Sequence, residues 1–128
     1  MKILLDTHIF LWYISGDKRL SIDKHNGIRD SNNEVYLSVV SVWEAIIKYQ
    51  LGKLPLPQPP ETYLPAQRQQ HQIMSLTLNE DSVAHLTQLP AVHRDPFDRI
   101  LICQANVHGL SLMTDDPIVQ QYPVQVFS

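Results

Sequence analysis

Apolar positions along this chain recur with two different spacings, and the two alternate. Residues 3–5 form a continuous apolar run after Lys2, which predicts a strand over 2–5 covered on both faces. Helical spacing follows in Ile9, Leu11, Trp12 and Ile14 and ends near Gly16. A second helix is predicted over 21–30 with Ser21 as its N-cap; Asn32 and Asn33 mark a turn, and 35–39 reads as the next strand. Ser41 opens a helix carrying Val42, Trp43, Ala45, Ile46, Ile47 and Tyr49, with Gly52 just past its end and Pro55 as a stop. Residues 54–60, LPLPQPP, are too rich in proline for helix or central strand and read as a stiff connector.

Beyond the connector, a helix is expected over 64–71 with Pro65 in its first turn, then a strand over 73–77. A helix over 79–89 is closed by Pro90, and a strongly apolar helix over 96–108 ends at Gly109. Strands are expected over 110–114 and, at the end, 124–127, and Asp116-Pro117 reads as one more helix start. Strands alternating with helices predict parallel βαβ units, hence an α/β fold: a three-layer α/β/α sandwich around a parallel sheet, Rossmann-like in plan. No repeat divides the sequence, so residues 1–128 are expected to form one domain.

Composition narrows the function. With 44% hydrophobic residues in 128, the chain can bury a core without disulfides, and its single cysteine, Cys103, lies in an apolar run that predicts a core position. No apolar stretch is long enough to span a bilayer, and Asp6 interrupts the N-terminal run with no cleavage site after it, so a soluble cytoplasmic protein is expected. A net charge of -3 excludes nucleic-acid binding by bulk positive charge. Any such binding must be local, as in an enzyme whose own site is acidic.

The acids fall in a pattern. Asp6 follows the first strand, Glu44 lies early in the helix after the second, Asp95 and Asp98 open the apolar helix, and Asp115 and Asp116 follow the strand over 110–114. The carboxyl ends of parallel strands share one edge, where ligands bind. Carboxylates gathered there repel one another unless a hard, oxygen-seeking cation such as Mg²⁺ or Mn²⁺ sits among them. Each acid alone has a simpler use as a helix cap. Asp6 precedes Thr7, Ser41-x-x-Glu44 fits a capping box, and Asp95-Pro96-x-Asp98 fits N-cap, N1 and N3. Capping leaves unexplained why so many acids collect at one edge.

These residues resemble the motifs of the PIN-domain family. LLDTHIFLW at 4–12 is similar to its opening motif, SVVSVWEAIIK at 38–48 with LGKL at 51–54 to the second motif of a VapC-like subgroup, LPAVHRDPFDRILI at 89–102 to the third, and LMTDD at 112–116 to the fourth. The resemblance spans nearly the whole chain and implies a Mg²⁺- or Mn²⁺-dependent endoribonuclease, commonly a homodimeric toxin restrained by a cognate antitoxin. It places Asp6, Glu44 and Asp98 as the first acids of the site. The fourth is Asp116 by the Thr-x-Asp pattern, with Asp115 as the alternative. Asp95, Thr7 and Thr114 are expected to support these acids. The chemistry implied is metal-assisted phosphodiester hydrolysis.

Arg94 and Arg99 are candidates for phosphate contacts or for salt bridges to neighbouring acids. His8 and His93 lie near acids, but no histidine or cysteine spacing fits zinc. Trp12, Trp43 and Phe97 are expected in the core or a subunit interface rather than stacked on bases. Tyr49, Tyr63 and the proline-rich connector are candidates for a peptide groove. A receiver-like Mg²⁺ domain would need paired acids after the first strand and a late lysine, yet only Asp6 is there and no lysine follows Lys53. A haloacid-dehalogenase phosphatase would need Asp-x-Asp where Asp6-Thr7-His8 stands. The remaining rival is a PIN-fold binding module without catalysis.

Overall fold

The computed structural model describes residues 1–92 and 95–127. Its strands, β1 (Lys2–Leu5), β2 (Glu34–Ser38), β3 (Met74–Leu76) and β4 (Ser111–Met113), form one parallel sheet in the order β3-β2-β1-β4. Pleating sends Ile3 and Leu5 of β1 and Val35 and Leu37 of β2 to one face. There they meet Ile9 and Phe10 of α1 (Thr7–Ser15), Ile28 of α2 (Ile22–Arg29), Ala45 of α3 (Val39–Gln50) and Leu64 of α4 (Pro60–Gln70). Leu4 and Leu112 face the other way, onto Leu101, Ile102, Cys103 and Ala105 of α6 (Pro96–His108). The fold is thus the expected three-layer α/β/α sandwich, and Cys103 is a fully buried core residue.

The chain runs outward from β1 through β2 to β3 and then returns to lay β4 on the other side of β1. Strand order reverses at β1, so the carboxyl ends of β1 and β4 flank a topological switch point, the usual ligand crevice of an open parallel sheet.

Several elements differ from expectation, each for a local reason. α3 starts at Val39, because Ser38 rather than Ser41 is the N-cap: its hydroxyl accepts from the Val40 amide at 3.0 Å. Glu44 therefore sits in the second turn of α3, and the Ser41–Glu44 capping box does not form. α4 starts at Pro60, whose fixed φ suits the first helical position, and Pro65 lies inside the helix. The helix expected over 79–89 is α5 (Glu80–Ala84), which tightens into a 3₁₀ turn at His85–Gln88. Asp116-Pro117 leads only to a 3₁₀ turn at Val119–Gln121.

The terminal strand reduces to a single bridge, Val126 beside Leu112. The ring of Phe127 turns under α2, so close to Gly27 that a Cβ there would lie 2.6 Å from its Cζ. Gly16, Gly52 and Gly109 close α1, α3 and α6 at positive φ, as a left-handed helix end requires. Among the described residues no helix is long and apolar enough to cross a membrane.

Candidate functional site

Asp6 takes its place from β1. Its amide continues the sheet by donating to Met113 O at 3.0 Å, after which the chain turns into α1. Asp6 stands at the N-cap position of α1, yet its side chain makes no capping hydrogen bond. The carboxylate instead accepts the Thr114 hydroxyl at 2.7 Å, and the residue is only 6% exposed. Burial pushes its pKa above the ordinary aspartate value; the Thr114 hydrogen bond and His8 oppose that rise, and nearby Glu44 adds to it. A cap needs none of this, so Asp6 is held for another purpose.

Glu44 reaches the same region from α3 and is buried. Its Oε2 accepts from Lys48 Nζ at 2.6 Å, one helical turn on, while Oε1 is buried with no hydrogen-bond partner among the described residues. The two acid-bearing helices are joined just beside these groups: the Thr7 hydroxyl donates to Ser41 Oγ at 2.8 Å in a buried contact. Ser41 lies one turn before Glu44, so this bond fixes α3 against the start of α1.

The other acids sit around this pair. Asp95 is the N-cap of α6, accepting from the amides of Phe97 at 2.9 Å and Asp98 at 3.2 Å, and this cap sets Asp98 in the first turn. Lys48 feels Asp95 and Asp98 as well as Glu44. Burial alone would depress its ammonium pKa, but the Glu44 hydrogen bond and these three negative charges outweigh it and raise the value. Lys48 thereby links the α3 acid to the α6 acids.

Beyond β4 the two adjacent aspartates separate. Asp116 donates its amide to Thr114 Oγ1 at 3.0 Å, on the same hydroxyl that holds Asp6, and its Oδ1 accepts from the Ile118 amide at 2.9 Å. Asp115 is exposed and forms a 2.8 Å ion pair with Lys24 of α2.

Among the described residues, no three His, Cys, Asp or Glu side chains stand close enough together to form a finished cage for a metal ion. What is present is a buried carboxylate pair from Asp6 and Glu44 with a spare, unpartnered oxygen on Glu44, and Asp98 and Asp116 on the neighbouring segments. An all-oxygen donor set with an orphaned buried oxygen fits a hard divalent cation and does not fit a soft one.

Among the described residues Arg99 forms no salt bridge to a neighbouring acid. Its guanidinium donates to Pro90 O at 2.9 Å and to the Tyr122 hydroxyl at 3.0 Å, pinning α6 to the segment before it and to the one after β4. The phosphate-binding expectation for Arg94 lies outside the described residues. Trp43 is not a core residue: it is 52% exposed and packs edge-on against Phe97 at 4.9 Å. Trp12 is partly buried, with the Arg19 guanidinium over its ring. A groove of about 480 Å³ runs beside α1, lined by Leu11 and Trp12, the 54–57 segment and Tyr63; Tyr49 does not line it. Lys48 and Ser41 are the site residues that the sequence reading passed over. The i, i+4 spacing of Glu44 and Lys48 was the signal available for the first.

Comparison with known proteins places this geometry. The model of the PIN domain family matches residues 3–124. Ribonuclease VapC16 of Mycobacterium tuberculosis is 37% identical over 71 residues, a match that spans 52% of this chain and 50% of that protein. Among solved structures, VapBC2 of Rickettsia felis bound to a promoter DNA fragment superposes with a TM-score of 0.74 at 14% identity, covering 100% of this chain and 98% of that one. DNA-bound VapBC of Salmonella typhimurium gives 0.68 at 16% identity, covering 100% and 97%. VapBC-1 of nontypeable Haemophilus influenzae gives 0.64 at 18%, covering 94% and 91%. At these identities the structures speak for the fold, and the family model for descent: the chain belongs to the PIN domain family.

Proposed function

We propose that this protein is a metal-dependent endoribonuclease of the VapC type, the toxin of a toxin–antitoxin pair acting in the cytoplasm on RNA. The observation that carries this reading is the buried carboxylate pair at the switch point, Asp6 and Glu44, whose burial is costly and whose Glu44 Oε1 has no partner. Natural folds keep such groups where a ligand needs them. The 37% identity to a named ribonuclease supports the substrate class, and the VapBC neighbours support an antitoxin partner; the homodimer is carried by the family resemblance of the sequence motifs.

Asp6, Glu44, Asp98 and Asp116 are the residues that would hold Mg²⁺ or Mn²⁺. When bound there, the ion supplies an activated water and offsets charge on the phosphodiester. The protein's part is positional. Thr114 holds Asp6 and, through the Asp116 amide, the start of the loop after β4. Asp116 is favoured over Asp115 as the fourth acid, because Asp115 is paired with Lys24. Asp95 caps α6 and so fixes Asp98, while Thr7 anchors α3 through Ser41.

The test is cleavage of a structured RNA pool with Mg²⁺, with Mn²⁺ and with EDTA, beside Asp98→Asn protein whose folding is checked by thermal melting. Cleavage that needs the metal and is lost in the folded variant supports the assignment. Equal cleavage by Asp98→Asn contradicts it.

A further inference from the structure

The Lys48–Glu44 pair has the i, i+4 spacing of an ordinary surface salt bridge, which on a solvated helix contributes little. Its surroundings are different. The Glu44 side chain is only 4% exposed and the Lys48 side chain 35%. One carboxylate oxygen is occupied by the ammonium at 2.6 Å and the other is buried with no partner among the described residues. A carboxylate that was merely neutralised in the interior would have its second oxygen satisfied too. This one is gripped on one side and left open on the other.

Two other basic side chains near the acid segments, Arg99 and Lys24, are engaged elsewhere. Arg99 is tied to Pro90 and Tyr122, and Lys24 to Asp115. Among the described residues it is Lys48 that reaches Glu44, and it lies in the field of Asp95 and Asp98.

We propose that Lys48 is a positioning residue of the cation site: by holding Glu44 Oε2, it fixes the carboxylate so that Oε1 is presented to the divalent ion. The role rests on the metal-dependent reading above and adds to it a residue that touches neither ion nor RNA. Groups that orient a metal-binding side chain characteristically change metal affinity by about 10- to 100-fold when removed. A lysine that simply competed with the metal for Glu44 would act in the opposite direction, and its removal would tighten binding.

The experiment measures Mn²⁺ affinity of the full-length protein from the signal of free Mn²⁺ in electron paramagnetic resonance, with no RNA and no turnover. Lys48→Met is expected to weaken binding by roughly 10- to 100-fold, and Lys48→Arg, which keeps a charged donor, to restore it to within a few-fold. In a Glu44→Gln background, where there is no carboxylate to hold, Lys48→Met is expected to cause no further loss. If Lys48→Met does not fold, Lys48→Gln, which has no charge, is read in its place by the same criteria. Unchanged or tighter Mn²⁺ binding in the neutral variant overturns the role, and so does an equal loss in the Glu44→Gln background. Wild-type protein that binds no Mn²⁺ overturns the metal reading itself, and this role with it.

Discussion

The Thr114 hydroxyl donates to the Asp6 carboxylate at 2.7 Å, joining the ends of two neighbouring parallel strands that are 108 residues apart in the chain. A buried carboxyl group with few donors depends heavily on each of them. Replacing Thr114 by Val, which keeps the shape and removes the hydroxyl, is expected to cost about 1.5–3 kcal/mol in urea denaturation at neutral pH. Thr114→Ser keeps the donor and is expected to recover most of that loss.

Asp6 carries a charge in the interior at the expense of the fold. Its folded pKa is raised, so its contribution to stability is full below the ordinary value of 3.8 and is lost as pH rises through the folded value. Metal-free wild-type protein should therefore lose stability relative to Asp6→Asn as pH climbs from 3.8 toward neutrality. A rise of one pH unit in a carboxyl midpoint corresponds to about 1.4 kcal/mol. Thermal melting of both proteins across that range, with chelator present, checks the sign. Asp6→Asn should melt higher at pH 7, and equal melting would show that Asp6 is not strained.

Much of the fold was legible because its signals are local. The helix expected over 96–108 matches α6 at both ends, since Asp95-Pro96 and Gly109 each carry a specific backbone preference. The start of α3 was misplaced because Ser38 and Ser41 are equally good caps by sequence. The choice falls to Ser38, whose hydroxyl also reaches the buried Gln104 side chain of α6, a contact across 66 residues. The strand expected at 124–127 failed for a similar reason: what Phe127 packs on is Gly27, which no local pattern announces. Asp6 was legible as a candidate, since it ends an apolar strand. That Lys48 holds Glu44, and that Arg99 turns toward Tyr122, depend on how α3 and α6 face each other, and a linear pattern does not carry that.

Thr7 and Ser41 offer a test of how α3 is aligned. Their buried hydroxyls bond at 2.8 Å although they stand 34 positions apart in the chain. Thr7→Val and Ser41→Ala should each destabilise by about 1 kcal/mol. The double variant should cost less than the sum, with a coupling of about 0.5 kcal/mol or more in a denaturation cycle. Strict additivity would mean that the bond does not join the helices.

Gly27 is a packing constraint. A methyl group there would meet the Phe127 ring at 2.6 Å, so Gly27→Ala should displace the C-terminal segment even though alanine favours helix. The expected loss is about 1–3 kcal/mol, and Phe127→Leu in the same chain should relieve part of it. A stabilised Gly27→Ala protein would show that Phe127 does not rest on α2.

The most direct test of the account is RNA cleavage by Asp6→Asn beside wild type, at matched concentrations in Mg²⁺, in Mn²⁺ and in EDTA. Because this variant is expected to be at least as stable as wild type, loss of its activity cannot be blamed on unfolding. The account predicts that wild type cuts only with the divalent ion and that folded Asp6→Asn does not cut. Cleavage by Asp6→Asn at the wild-type rate, or wild-type cleavage undiminished by EDTA, would contradict it.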